Sequence, residues 1–208
     1  MNKYEFINNA KNYLNYHYLY GYKGEIITQA LNNSLNKEYP KIWNQSNYQY
    51  KSKLWIGDRA IDCSGLVCRS LGYPIGKDYG SYYMGENWEA VASPAPGLVA
   101  WKSGHVAICI DKTHIIEAAG IEAGVRIREF KKSEFKKYLK APGVDYSEGY
   151  TGWHWDEKVG AWQYLVSDKP IKEGVHKLKW SQGESNFIFY NNYCYITDTN
   201  GVIVQPKV

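Results

Sequence analysis

The sequence predicts an α+β fold, with helices packed on an antiparallel sheet, followed by a small β-rich domain. Three observations carry this. Apolar residues recur at helical spacing up to Leu71, short β-branched runs follow from Gly97 to Phe130, and an aromatic stretch without helical periodicity fills the chain beyond Thr151. Helices first and strands afterwards indicate α+β architecture, not an alternating α/β chain.

The elements follow in order. Phe6, Ile7, Ala10, Tyr13 and Leu14 predict a first amphipathic helix over 4–15, and Ile26, Ile27, Ala30, Leu31 and Leu35 a second over 25–36. Pro40 and the Asn/Ser/Gln-rich residues after it read as a loop. A third helix is predicted from Asp62 to Leu71, with Asp62 as its N-cap. Strands are predicted at 97–101, 105–110, 113–118 and 125–130, separated by Gly, Asp or Lys. Ser133 to Lys140 reads as a short helix, with Phe135 and Leu139 on one side. Composition shifts near Pro142-Gly143 and Ser147-Glu148-Gly149, which divides the chain into domains at 1–148 and 151–208.

Bulk properties narrow the possibilities. The net charge is +4, but residues 151–208 hold six Lys and six acids, so the excess lies in the first 150 residues. That suits a polyanionic target without selecting one. Basic residues are not interleaved with aromatics in a stripe, so no nucleic-acid partner is expected. No segment is apolar enough to span a membrane, and the N-terminus lacks a signal-peptide pattern; the chain is expected to be made in the cytoplasm. Four cysteines in 208 residues do not make a disulfide scaffold. Cys63 and Cys68 lie five apart on one predicted helix, poor geometry for a bridge, and Cys109 and Cys194 fall in an apolar and an aromatic strand and read as small buried residues. No Cys-x-x-Cys or His-x-x-x-His pair occurs, and no phosphate-binding glycine loop, so neither a metal nor an organic cofactor is expected.

Two residues stand apart. Cys63, in Ile61-Asp62-Cys63-Ser64-Gly65-Leu66-Val67, sits where a helix begins, and His105 opens an apolar strand in Gly-His-Val-Ala-Ile-Cys-Ile. A helix N-terminus favours a thiolate, and an imidazole can take and return a proton, which is the equipment of a cysteine hydrolase. Glu117 lies twelve residues after His105, across a turn. If Ile110, Asp111 and Lys112 form an odd, three-residue connection, His105 and Glu117 pair on one face; a two-residue turn would part them. The carboxylate would then hold one imidazole nitrogen and leave the other for the thiol. His17, His114, His154 and His176 lack such company and read as packed or surface residues.

These residues resemble the NlpC family of papain-like cell-wall cysteine peptidases, especially the forms found in phage and prophage endolysins. Tyr18-Leu19-Tyr20-Gly21 with Lys23-Gly24-Glu25-Ile26, Asp62-Cys63-Ser64-Gly65-Leu66-Val67, Pro96-Gly97 through Ile108, and Ile116-Glu117-Ala118-Ala119-Gly120 match its segments, together spanning residues 4–146. The resemblance implies a papain-like catalytic domain with Cys63 as nucleophile, His105 as base and then acid, and Glu117 as the residue that orients the imidazole. Glu117 is a departure, since that position is more often His in the family. It implies Tyr18 near the oxyanion with Tyr20 as the neighbouring alternative, and Asp62, Ser64 and Ser81 lining the cleft; Asp62 reads equally as a helix cap. The implied substrate is the peptide stem of peptidoglycan, cut between γ-D-glutamate and the diamino acid. N-acetylmuramoyl-L-alanine amidase, papain-like acyltransferase and inactive wall-binding protein are the other readings. Without a signal peptide, a lysin released to the wall through a separately made pore is expected.

The tail also carries a resemblance, to degenerate cell-wall-binding repeats of the choline-binding type. Aromatic faces stack on sugar rings and attract quaternary ammonium groups. Trp153, Trp155, Trp162 and Tyr190 are the candidate ligands for choline or wall glycans. The same aromatics would equally form the core of a small hairpin module.

Overall fold

A computed structural model describes residues 1–146 and, beyond them, the strands at 152–156, 161–165, 174–180, 183–190 and 193–197. The chain divides into two compact units, Met1–Tyr146 and Ser147–Val208. The first unit is α+β, with helices on a six-stranded antiparallel sheet.

Helix α1 runs Lys3–Lys11, started by a capping box in which Asn2 and Glu5 satisfy each other's backbone N–H groups. It stops short of the predicted Asn15, which lies at φ 71 in the left-handed region. Strand β1 (Lys23–Ile26) precedes α2 (Gln29–Glu38), because Thr28 caps the helix there and releases the preceding residues to pair elsewhere. The expected loop after Pro40 is instead α3 (Pro40–Trp43), with proline at its first turn, and α4 (Ser46–Leu54). Trp43 and Tyr48 explain the departure: both are buried beside Leu19, Tyr22, Ile27 and Leu35, so tertiary burial overrides a polar local composition.

Strand β2 (Arg59–Ile61) pairs antiparallel with β1, and α5 (Cys63–Ser70) follows at once. Then come α6 (Ser81–Asn87), β3 (Ala90–Val91), β4 (Val99–Lys102), β5 (His105–Cys109), β6 (His114–Ala118) and β7 (Val125–Glu129). The helix expected over 133–140 is replaced by a 3-10 turn at Lys132–Glu134 and strand β8 (Lys137–Leu139). β8 inserts between β3 and β4, giving the order β3-β8-β4-β5-β6-β7. Tyr138 and Leu139 bury into different clusters on the two sides of that sheet, a period-two pattern that a helix could not satisfy.

The sheet has two covered faces. Val99, Val106, Ile108, Ile116, Ala118 and Leu139 pack with α1 and α5. Ala100, Ala107, Cys109, Ile115 and Tyr138 pack with Phe130 and Phe135. Among the described residues no helix is long and apolar enough to cross a membrane.

The second unit holds β9 (Gly152–Asp156) paired with β10 (Ala161–Leu165), and a sheet of β11 (Gly174–Trp180), β12 (Gly183–Tyr190) and β13 (Tyr193–Thr197). By register Trp162 stands opposite Trp155 and Tyr190 opposite Tyr193. What the side chains of Trp153, Trp155, Trp162 and Tyr190 touch lies outside the described residues.

Candidate active site

The nucleophile's surroundings are built by the start of α5. Asp62 caps the helix: its Oδ1 accepts from Gly65 N at 2.6 Å and from Ser64 Oγ at 2.9 Å. Its Oδ2 accepts from Gly21 N at 3.1 Å and Lys23 Nζ at 2.6 Å. Lys23 also donates to Ser64 Oγ at 2.9 Å. With four donors on a 5% exposed residue, Asp62 is committed to holding the helix start, and Ser64 is held with it. Gly65 lets β1 approach this closely, since a Cβ there would meet Tyr22 O at 3.0 Å and Lys23 Cδ at 3.0 Å.

Cys63 is itself buried, packed among Leu66, Val67, Val106 and Ile108. Burial pushes its thiol up, Asp62 adds to this, and the Val106 N–H, Lys23 and Ser64 N–H pull the other way; the pKa settles at about 11. The helix terminus therefore does not produce a resting thiolate. Burial outweighs it.

Tyr18 lies beside the thiol. Burial, then the neighbouring Cys63, raises its phenol far above the ordinary range, so its hydroxyl remains a donor. Tyr20 sits one step away, edge-on to Tyr39 at 5.0 Å, with its carbonyl accepting from Trp43 Nε1 at 3.1 Å. Tyr48 reaches the same neighbourhood from α4; burial raises it to about 12, with Asp62, Tyr20 and Cys63 contributing. Nothing in the local sequence marked Tyr48. Ser81 opens α6, where its carbonyl accepts from Trp101 Nε1 at 2.6 Å, and none of its described contacts joins it to the thiol. Tyr18 also lines a groove of about 190 Å³ with Tyr16, His17, Lys51, Trp55 and Glu122.

The second half of the site is on the sheet. β5 and β6 pair Ile108 with Ile116 and Cys109 with Ile115, and Ile110 N donates to His114 O at 2.8 Å. The connection is thus Asp111-Lys112-Thr113, one residue later than expected but still odd in length. Asp111 Oδ1 accepts from Thr113 N and His114 N, which fixes that turn. Parity is preserved, so His105 and Glu117 share a face, as diagonal neighbours and not directly opposite. His105 Nε2 meets Glu117 Oε2 at 2.9 Å.

Glu117 is 3% exposed in its side chain. Its Oε1 accepts from Arg128 Nε at 2.6 Å and from Arg126 Nη2 at 3.1 Å. Burial raises the carboxyl pKa, but hydrogen bonds from His105 and Arg128, with their charges, win and hold it near 2. The two arginines escaped the sequence reading, although period two along β7 and the register Glu117↔Arg126 place them beside the acid.

The structure brings His105 to Glu117, and Cys63 to Tyr18 and Asp62. It does not join the two groups by a hydrogen bond: none links Cys63 Sγ to the His105 ring among the described residues. Alternation along β5 explains this, since Val106 faces the helix side with Cys63 while His105 falls with Ala107 and Cys109, its ring 6.2 Å from that of Phe135. The link between them is Val106, whose N–H faces the thiol and which directly follows His105 in the chain.

No family model matches the sequence. No curated protein matches it. Among solved structures, the chain is similar to the peptidoglycan hydrolase RipB from Mycobacterium tuberculosis, at 16% identity and a TM-score of 0.43, over 67% of this chain and 63% of that one. The chain therefore spans less than two thirds of that protein's length.

Proposed function

We propose that this protein is a peptidoglycan hydrolase that cuts an amide bond of the peptide stem by thiol chemistry. The observation that carries the reading is the 2.9 Å pair between His105 Nε2 and Glu117 Oε2, directly preceding the residue whose N–H faces the Cys63 thiol. With Nε2–H donated to an ionised carboxylate, Nδ1 keeps its lone pair and is the base. Because the resting thiol is neutral, its proton passes to Nδ1 as sulfur attacks the carbonyl carbon. This transfer requires Nδ1 and Sγ to come within reach of each other in the substrate complex, with Nε2 kept on Glu117. The Cys63 backbone N–H, at the first turn of α5, and the Tyr18 hydroxyl stabilise the oxyanion. His105 then protonates the leaving amine, and water hydrolyses the thioester.

The substrate class rests on the motif resemblance around Cys63, His105 and Glu117. The favoured bond joins γ-D-glutamate to the diamino acid, in the manner of a phage or prophage lysin acting at the wall, with the aromatic strands of 151–208 binding wall glycans or choline. The test is turbidity loss of purified walls, with mass spectrometry of the released fragments. Wild type is expected to clear walls, expose a new free amine on the diamino acid and leave L-alanyl-D-glutamate on the glycan, with Cys63→Ala and His105→Ala near background. Free N-terminal L-alanine in the fragments would indicate amidase action instead. Equal clearing by wild type and Cys63→Ala would reject thiol hydrolysis.

A further inference from the structure

The carboxylate that holds His105 is itself gripped from behind. β7 pairs with β6 so that Arg126 stands opposite Glu117 and Arg128 opposite Ile115, which places both arginines on the face that carries Glu117. Arg128 spans the carboxylate, with Nε on Oε1 at 2.6 Å and Nη2 toward Oε2 at 3.5 Å. Arg126 adds Nε at 3.3 Å and Nη2 at 3.1 Å, both on Oε1. Oε1 is thereby filled, and Oε2 is the oxygen left for the imidazole.

Arg128 is in turn anchored on its outer side. Its Nη2 pairs with Glu134 Oε2 at 2.9 Å, and its Nη1 donates to Glu129 O at 2.8 Å. Glu134 belongs to the 3-10 turn, and the next residue, Phe135, lays its ring along that of His105 at 26°. One short turn therefore fixes the far end of the relay and one face of the imidazole. The relay runs Glu134, Arg128, Glu117, His105, and lysine could not replace its centre, because only a planar fork can meet two oxygens and two carboxylates in fixed directions.

We infer that Arg128, assisted by Arg126, is a positioning residue that acts through Glu117 to set the tautomer and direction of the His105 imidazole. This rests on the thiol-hydrolase reading for its consequence in turnover, but the tautomer can be read without any substrate. The experiment measures ¹⁵N chemical shifts of the His105 ring in the full chain, together with kcat, KM and Tm, for wild type, Arg128→Lys, Arg128→Gln and Glu134→Gln. Wild type is expected to show the Nε2–H tautomer. Arg128→Gln is expected to mix the tautomers and lower kcat on the order of tenfold or more, with KM within about twofold, since a misdirected base costs turnover before binding. Arg128→Lys recovers only part of this, and Glu134→Gln gives a smaller loss in the same direction. If Arg128→Gln does not fold, Arg128→Lys and Glu134→Gln carry the test. Unchanged ring shifts and unchanged kcat in the folded variants would overturn the inference. Wild-type hydrolysis by Cys63→Ala would sink the functional reading alone, leaving the tautomer result standing.

Discussion

The thiol and the carboxylate of this site share nearly the same degree of burial and end in opposite charge states. Cys63 is 7% exposed and Glu117 is 2% exposed. Removing water from an ionisable acid always favours its neutral form, and for Cys63 nothing outweighs that. Its cationic neighbour, Lys23, spends its charge on Asp62 at 2.6 Å. Glu117 meets His105 and two guanidinium groups, and stays ionised. Where burial is similar, partners decide the direction of the shift: up to about 11 from 9.0 for the thiol, down to about 2 from 4.5 for the carboxyl. On the proposed mechanism this division orders the chemistry: the carboxylate is fixed in advance, whereas the thiol is activated only when the imidazole reaches it.

Removing the charge of Glu117 breaks this contrast most severely. In Glu117→Gln the amide can no longer balance Arg126 and Arg128, and the imidazole loses its charged acceptor. A loss on the order of 2–4 kcal/mol is expected, because breaking a buried ion pair strands the remaining charges, with Arg126 partly relieved by solvent. The sign with pH follows from the depressed pKa. The stabilisation from Glu117 is present above its ordinary value of 4.5 and is lost as pH falls toward about 2. Urea unfolding of wild type from pH 6 down to 2.5 is expected to show an acid loss on the order of 3 kcal/mol beyond that of Glu117→Gln. Parallel curves for the two proteins would mean that Glu117 is not held ionised by its neighbours.

The thiol supplies the next test. With its pKa near 11, the Cys63 alkylation rate is expected to keep climbing with pH past the ordinary thiol value of 9.0. Reaction with iodoacetamide, followed peptide by peptide, separates Cys63 from Cys68, Cys109 and Cys194. Asp62→Asn removes the carboxylate that adds to the rise, so its midpoint is expected lower than wild type. A plateau of Cys63 reactivity below pH 7 would show instead a preformed thiolate–imidazolium pair, erasing the contrast between the two halves.

Sequence and structure agree best where a side chain's role is local. The strands from Val99 to Glu129 were legible because two-residue alternation is imposed by the sheet itself, and Asp62 as a cap because the cap and its N–H partner lie three residues apart. Helix α4 was not, since its polar residues show no stripe and its formation depends on burying Tyr48 against Trp43 at 5.7 Å. β8 was misread because Phe135 and Leu139 happen to stand four apart, the helical interval. In the site, the pairing of His105 with Glu117 was legible from spacing, and the odd turn at Asp111-Lys112-Thr113 kept the two on one face. The separation of Cys63 from that pair was not legible, because it depends on which face of β5 receives α5. Lys23 was missed for a related reason: its partner Asp62 is 39 residues away and meets it only through the β1–β2 pairing.

Lys23 gives the smallest effect and the finest probe of the comparison. Its ammonium touches Asp62 Oδ2 and Ser64 Oγ, and its side chain is 20% exposed. Replacing it by methionine keeps the stem that packs near Gly65 and removes only the charge. Partial exposure limits the cost to about 1 kcal/mol, within the range of a partly solvated ion pair that also supports a helix cap. The thiol responds more tellingly than the fold. Lys23 is among the groups that lower the Cys63 pKa, and it also neutralises Asp62, which raises it. Both effects act in one direction when the charge is removed, so Lys23→Met is expected to move the alkylation midpoint of Cys63 upward while Asp62→Asn moves it down. Opposite shifts from the two ends of one ion pair would show that charge, and not a change in packing at the start of α5, sets what remains adjustable in the thiol. Shifts in the same direction would assign the effect to packing.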